Sequence, residues 1–265
     1  MLYNTKENQL QIGDTKMTYA SFGKGDKTMV IIPGLSLRDV KGAGLGLAYM
    51  YRKFTKEYTV YVFDRKDDIP EGYTVKDIAD DVAEGMRQLG LKDAYVFGVS
   101  QGGMVVQYLA LNYPELVKKL VLGVTLSRNN ETVVKVVNHW IEQFEQEKHT
   151  EFVEDMLRNM YSEAYIRKYS FLFPILIRFS VPKNMERFMR LAKACMTCDT
   201  YDRLTEIKCP VLVLGGREDL VTTGEASVEI AEKIGCEIYM YENLGHSAYE
   251  EAADFNDRIY DFFQS

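Results

Sequence analysis

Residues 94–111 contain the pattern that most restricts how this chain can fold. An apolar run, Ala94-Tyr95-Val96-Phe97, leads into Gly98-Val99-Ser100-Gln101-Gly102-Gly103, and Met104-Val105-Val106-Gln107-Tyr108-Leu109-Ala110-Leu111 follows. The first run has strand character; the second carries apolar residues at helical spacing and is closed by Asn112 and Pro114. Ser100 is therefore predicted to stand in a strand-to-helix turn of the form G-x-S-x-G. A side chain at position 98 or 102 would strike the adjoining strand or helix, and glycine also permits strained backbone angles. Gly103 lets the helix lie close to the sheet. Such a turn lifts the Ser100 hydroxyl clear at the carboxyl end of its strand, where open α/β sheets bind ligands.

On either side of this turn, strands and helices alternate. Two antiparallel strands are expected at 9–12 and 18–22, broken by Gly13-Asp14, with a turn over 23–27. Thr28-Met29-Val30-Ile31-Ile32 is a continuous apolar run, as expected of a parallel strand covered on both faces. It ends in Pro33-Gly34-Leu35-Ser36 and a loop rich in glycine (Gly42, Gly44, Gly46). A helix carrying Leu47, Met50, Tyr51 and Phe54 precedes a strand at 59–63, after which Asp64-Arg65-Lys66-Asp67-Asp68 is expected to be a charged loop. Thr74 opens an amphipathic helix with Asp77 as its capping partner and Val75, Ile78, Val82 and Met86 on its apolar face. Asp80 and Asp81 on that helix read as solvated charges. A further buried strand lies at 119–123. Regular alternation of this kind implies a parallel sheet with right-handed crossovers.

After Val124 the alternation stops. From 127 to about 201 the pattern is helical, with helices expected over 131–148, 151–160 and 183–198. Phe171-Leu172-Phe173-Pro174-Ile175-Leu176-Ile177 is too short to cross a membrane and too apolar to be left in water, and it is expected to roof a cavity over Ser100. Residues 125–202 thus read as a helical cap inserted into a core made of 1–124 and 203–265. The sheet resumes at 210–219, followed by a helix at 225–234, a strand at 237–241, a loop at 242–247 and a closing helix near 250–263.

A chain of 265 residues has room for one domain with such an insertion. Its net charge of −7, with no basic cluster, argues against a nucleic-acid partner. No run approaches the ~18 apolar residues of a membrane span. The first residues lack an apolar signal core, so a cytoplasmic location is expected. Cys195-Met196-Thr197-Cys198 is formally a C-x-x-C. Zinc would require a second pair, which the widely spaced Cys209 and Cys236 do not supply, and the motif sits at the end of a helical stretch rather than its start. A buried thiol pair or a coincidence of spacing is the reading, and no metal or cofactor is expected.

The chemistry follows from what Ser100 would need. A serine hydroxyl is a poor nucleophile until a base lies within hydrogen-bond reach and a carboxylate orients that base. Of the three histidines, His139 and His149 fall on charged helical faces, whereas His246 follows the last strand at the same sheet end as Ser100. Asp219, just beyond a buried strand and Gly215-Gly216, is the candidate carboxylate. Glu218 is its local rival, but adjacent side chains on an extended turn point apart. A developing oxyanion needs preorganised donors. The candidates are the backbone N–H groups of Leu35, in the loop after the 28–32 strand, and Gln101, at the start of the elbow helix.

With these residues in place, the chain resembles the α/β-hydrolase family over nearly its full length, in the branch of capped esterases, peptidases and C–C hydrolases. The elbow around Ser100, the Gly216-Arg217-Glu218-Asp219 turn, Gly245-His246 and the order Ser100, Asp219, His246 carry the likeness. The resemblance implies an α/β fold: a mostly parallel central sheet flanked by helices, with an inserted helical cap. It also implies a serine hydrolase acting on a small-molecule substrate with an apolar part, a small or medium carboxylic ester being the first expectation. C–C bond hydrolysis, aminopeptidase activity, acyl transfer and a hydrolase-fold ligand receptor are the alternatives. An aminopeptidase would need a cap carboxylate for the substrate's ammonium; Glu142, Glu145, Glu147 and Glu154 read instead as solvated helix faces. A serine at position 100 argues against the dehalogenase and epoxide-hydrolase branches. The chain departs from the pattern usual in that branch, carrying Pro33-Gly34 where His-Gly usually precedes the oxyanion residue. The backbone donor survives that change, while the support of the loop is open to differ.

Overall fold

The computed structural model describes residues 2–182 and 184–265, apart from the side chains of 176, 178 and 179. Eight strands form one sheet: β1 (Lys6–Ile12), β2 (Thr15–Gly23), β3 (Lys27–Ile32), β4 (Tyr58–Lys66), β5 (Ala94–Val99), β6 (Val117–Gly123), β7 (Val211–Gly216) and β8 (Glu237–Tyr241). Their spatial order is β1-β2-β4-β3-β5-β6-β7-β8. Strand β2 runs antiparallel to both of its neighbours, and every other pairing is parallel. This is the α/β-hydrolase fold, with a mostly parallel sheet flanked by helices. The central strands β5 and β7 are buried at every position, which is why they read as unbroken apolar runs.

The helices are α1 (Gly44–Met50), α2 (Val75–Gln88), α3 (Gln101–Asn112), α4 (Glu131–Glu145), α5 (His149–Met160), α6 (Glu163–Tyr169), α7 (Phe173–Ser180), α8 (Met185–Cys195), α9 (Gly224–Ile234), α10 (Ala248–Glu251) and α11 (Phe255–Gln264). One sheet face packs against α2, α3 and α9, the other against α1 and α11. The expected capping box is present: Thr74 Oγ1 accepts from Asp77 N at 3.1 Å, and Asp77 Oδ2 accepts from Thr74 N at 2.9 Å.

Helices α4 to α8 all lie between β6 and β7. Trp140, Phe152 and Phe188 stack edge-to-face at 6.2 and 5.3 Å and give α4, α5 and α8 a shared core. The apolar stretch over 171–177 does not have the place expected of it. Phe173 and Ile177, four residues apart on one face of α7, are buried in the core that α7 shares with α5. Phe171 and Ile175 point outward and are exposed. The space beside Ser100 is lined instead by Val133, Val137 and Trp140 of α4 and by Met156 and Met160 of α5.

Other elements differ from expectation in instructive ways. Strand β4 continues through Asp64, Arg65 and Lys66, and the first two are buried rather than part of a charged loop. Asp81 is not a free surface charge; Lys66 Nζ lies 3.1 Å from it, and the Tyr73 hydroxyl donates to it. Asp80 pairs with Lys76 at 2.8 Å on the exposed side. The expected helix over 131–148 stops at Glu145, that over 183–198 stops at Cys195, and the closing helix is two, α10 and α11. Lys183, the expected start of α8, lies outside the described residues.

Candidate active site

The elbow is built as its glycines require. Ser100 has φ 54° and ψ −121°, a strained conformation for a residue with a side chain. A Cβ on Gly98 would lie 2.4 Å from Gly102 O, and one on Gly103 would lie 2.5 Å from Thr125 Cβ. The turn is fastened by Ser100 N donating to Gly123 O at 2.9 Å and by the Thr125 hydroxyl donating to Ser100 O at 2.7 Å. Strain at one residue is thereby held by β6 and the segment after it.

The structure brings Ser100, Asp219 and His246 together. His246 Nε2 lies 2.8 Å from Ser100 Oγ, and His246 Nδ1 lies 2.8 Å from Asp219 Oδ2. Asp219 follows β7, His246 follows β8 and Ser100 follows β5, so three loops at one sheet end supply the three side chains. Asp219 and His246 are both buried, whereas Glu218 is exposed. Asp219 Oδ1 accepts from Val221 N at 2.7 Å and Thr222 N at 2.9 Å, and Oδ2 accepts from the Thr222 hydroxyl at 2.8 Å. Burial alone would push the Asp219 carboxyl up. His246 and the Thr222 and Val221 donors outweigh that and hold it below its ordinary range. An ionised Asp219 favours a proton on His246 Nδ1, which leaves Nε2 as an acceptor facing the Ser100 hydroxyl. That is the arrangement a general base requires.

Leu35 lines the space beside Ser100 and His246, and Gln101 follows Ser100 directly at the start of α3. A Cβ on Gly34 would lie 3.2 Å from Ser100 Cβ and 3.7 Å from Ser100 Oγ, so the 33–35 loop runs directly past the hydroxyl. Gln101 is the first residue of α3, a position whose N–H has no acceptor within its own helix. Its side chain is fully buried and points elsewhere: Nε2 donates to Leu191 O at 2.6 Å and lies 3.1 Å from Cys195 Sγ. Arg65 Nη2 donates to Gln101 Oε1 at 2.9 Å.

A cavity of about 30 Å³ beside Ser100 and His246 is walled by Leu35 and Met104 from below and by Val137, Trp140, Met156 and Met160 from α4 and α5. It adjoins an open groove of about 260 Å³ that shares Leu35, Met156, Met160 and Tyr249 and continues past Tyr51 and Tyr161. An apolar recess next to a polar reacting centre, with a wider exit, suits a small ligand held at one end.

The remaining candidates are not drawn in. His139 is exposed and 4.0 Å from Asp155, and His149 opens α5 against the Phe144 ring. Glu142, Glu145 and Glu147 are exposed, and Glu154 pairs with Arg158 at 2.7 Å. All four cysteines are free; Cys195 and Cys198 are buried. Burial pushes the Cys195 thiol up to about 11 and that of Cys198 further. Among the described residues no cluster of three or more His, Cys, Asp or Glu could hold a metal, and no helix is long and apolar enough to cross a membrane. Sequence reasoning missed Arg65 and Thr222. Arg65 looked solvated because a charged run after an apolar strand usually is. Thr222 carried no signal beyond its place three residues after Asp219.

Residues 39–160 match the family model for the alpha/beta hydrolase fold. The Serratia proteamaculans protein named "Putative carbamate hydrolase RutD" is 30% identical over 229 residues, spanning 78% of this chain and 79% of that protein. A 3-oxoadipate enol-lactonase from Acinetobacter baylyi is 22% identical over 223 residues, covering 82% of this chain and 81% of that one. Among solved structures, the enol-lactonase from Burkholderia xenovorans superposes with a TM-score of 0.84 at 19% identity, covering 97% of this chain and all of the other. Sequence likeness along most of the chain and a common fold agree with the elbow, and this chain belongs to the α/β-hydrolase family.

Proposed function

We propose that this hydrolase cleaves a small or medium carboxylic ester through an acyl-enzyme on Ser100. The observation that carries the reading is the run of two 2.8 Å contacts, Ser100 Oγ to His246 to Asp219, ending beside an apolar recess. In the first step Ser100 Oγ attacks the ester carbonyl as its proton passes to His246 Nε2. Asp219 keeps the imidazole oriented and stabilises its charged form. The N–H groups of Leu35 and Gln101 hold the oxyanion. Collapse of the intermediate expels the alcohol, which takes the proton from His246. A water then repeats the sequence, regenerating Ser100 and releasing the acid. On this reading 125–202 is a cap on a core of 1–124 and 203–265. The closed recess under α4 and α5 takes a short acyl group, and the open groove takes the alcohol.

Carbamate cleavage is the second reading, favoured by the name of the Serratia relative; it uses the same attack on a carbonyl with an amine as product. Hydrolysis of p-nitrophenyl esters from acetate to long acyl chains, wild type beside Ser100→Ala, tests the proposal. Activity that peaks at short chains and vanishes in the variant supports it. Full turnover by Ser100→Ala would sink it.

A further inference from the structure

The two oxyanion donors assigned under the proposed function, on which this inference rests, sit on separate pieces of chain. Leu35 belongs to the loop after β3, and Gln101 belongs to the turn after β5. The loop lies hard against the elbow helix: a Cβ on Gly102 would meet Ile32 O at 1.9 Å and Pro33 O at 2.7 Å. Proline at position 33 has no N–H with which to fasten the loop, so its carbonyl is the remaining backbone handle there. Donors that stabilise a developing oxyanion must converge on one point, and a misplacement of about 1 Å costs on the order of 10²-fold in rate.

We propose that Arg65 is the positioning residue that holds these two halves in register. Its Nη2 donates to Pro33 O at 2.7 Å and to Gln101 Oε1 at 2.9 Å. The guanidinium reaches from β4 across β3 to the β5 elbow, spanning three neighbouring strands of the sheet. Arg65 is 4% exposed, and its Nε has no partner among the described residues. Taking a guanidinium out of water is costly; Asp64 offsets part of that cost through space, but among the described residues no carboxylate lies within ion-pair distance of the guanidinium. The nearby carboxylates Asp39 and Asp64 pair with Arg187, at 3.0 and 3.2 Å. Arg187 also donates to Arg65 O at 2.9 Å, which seats the backbone of Arg65 under α8. What the buried guanidinium does reach is the oxyanion loop and the elbow. It fastens through the Pro33 carbonyl a loop that Pro33, lacking an N–H, cannot fasten by donation.

The test compares wild type, Arg65→Met and Arg65→Lys with a short p-nitrophenyl ester, each rate divided by the number of sites labelled to completion by a fluorophosphonate. The expected result is a fall in kcat of about 30- to 100-fold in Arg65→Met, with KM within about threefold and partial recovery in Arg65→Lys. A purely structural role would lower the number of labelled sites and leave kcat per site unchanged, which overturns the proposal. Wild-type kcat per site in Arg65→Met overturns it while leaving the serine mechanism standing. A wild type that no fluorophosphonate labels removes that mechanism and this proposal together. Should Arg65→Met not fold, Gln101→Met keeps the backbone donor but removes the elbow-side one of the two acceptors of Arg65, leaving Pro33 O. A lower kcat at unchanged KM supports the proposal, and an unchanged kcat overturns it.

Discussion

A Cβ placed on Gly102 would lie 1.9 Å from the carbonyl oxygen of Ile32. The obstacle is backbone in a central buried strand, so neither partner can step aside. Gly102→Ala is expected to cost more than about 3 kcal/mol, above the usual range for overpacking. Gly46→Ala, where nothing lies within 4 Å of the added carbon, should be close to neutral. Urea denaturation of the two variants beside wild type checks the contrast.

Asp219→Asn keeps the shape of the side chain but removes its charge. The amide can donate to His246 Nδ1, which favours the wrong tautomer and puts a proton on Nε2 facing Ser100. Ester turnover should fall by about 10⁴-fold with little change in fold. Steady-state kinetics together with circular dichroism separate the two effects.

Asp219 also fixes an acid limit to stability. Its folded pKa lies below its ordinary value, so near pH 4 the unfolded chain binds more protons than the folded one. The stabilisation is complete above the unfolded pKa of about 3.9 and is lost as pH falls through the folded value. Chemical denaturation from pH 6 downward should show a decline that is shallower in Asp219→Asn than in wild type.

The Cys195 thiol, buried and pushed up to about 11, is almost entirely protonated at pH 8. Iodoacetamide should therefore modify it slowly in the folded protein and rapidly in urea. Peptide mass spectrometry with timed quenching measures both rates. Cys195 also lines the recess beside Ser100, so fast modification of native protein at pH 8 would show that this recess opens often.

Trp140, the chain's single tryptophan, lines the recess beside Ser100 and donates from Nε1 to Asp155 Oδ2 at 3.2 Å. Its fluorescence should change when a short alkyl boronic acid binds Ser100, and should not change in Ser100→Ala. Trp140→Ala is expected to move the acyl optimum to longer chains, at a cost of about 3 kcal/mol in stability.

The parts of this molecule that were legible in the sequence are those where local pattern and tertiary role coincide. The apolar runs of β3, β5 and β7 and the glycines around Ser100 each admit few alternatives, and so do Asp219 and His246 in loops after strands. The roof was misplaced because hydrophobicity says that 171–177 must be buried against something, without saying what. Phe173 and Ile177 met that need within α7 and α5, and Trp140 and Met156 took the place over Ser100. Arg65 was hidden for the opposite reason. Its burial depends on Pro33 O and Gln101 Oε1, acceptors brought to it by two other strands, and no window around position 65 contains them.

The central claim is a covalent acyl group on Ser100, and the direct measurement is to trap it. Enzyme mixed with p-nitrophenyl acetate, quenched in acid within the first turnovers and digested, should carry one acetyl group on the peptide containing Ser100. A burst of p-nitrophenol close to one equivalent per site should accompany it. Sustained ester hydrolysis with Ser100 never acetylated, or with the acetyl group on another residue, would contradict the account.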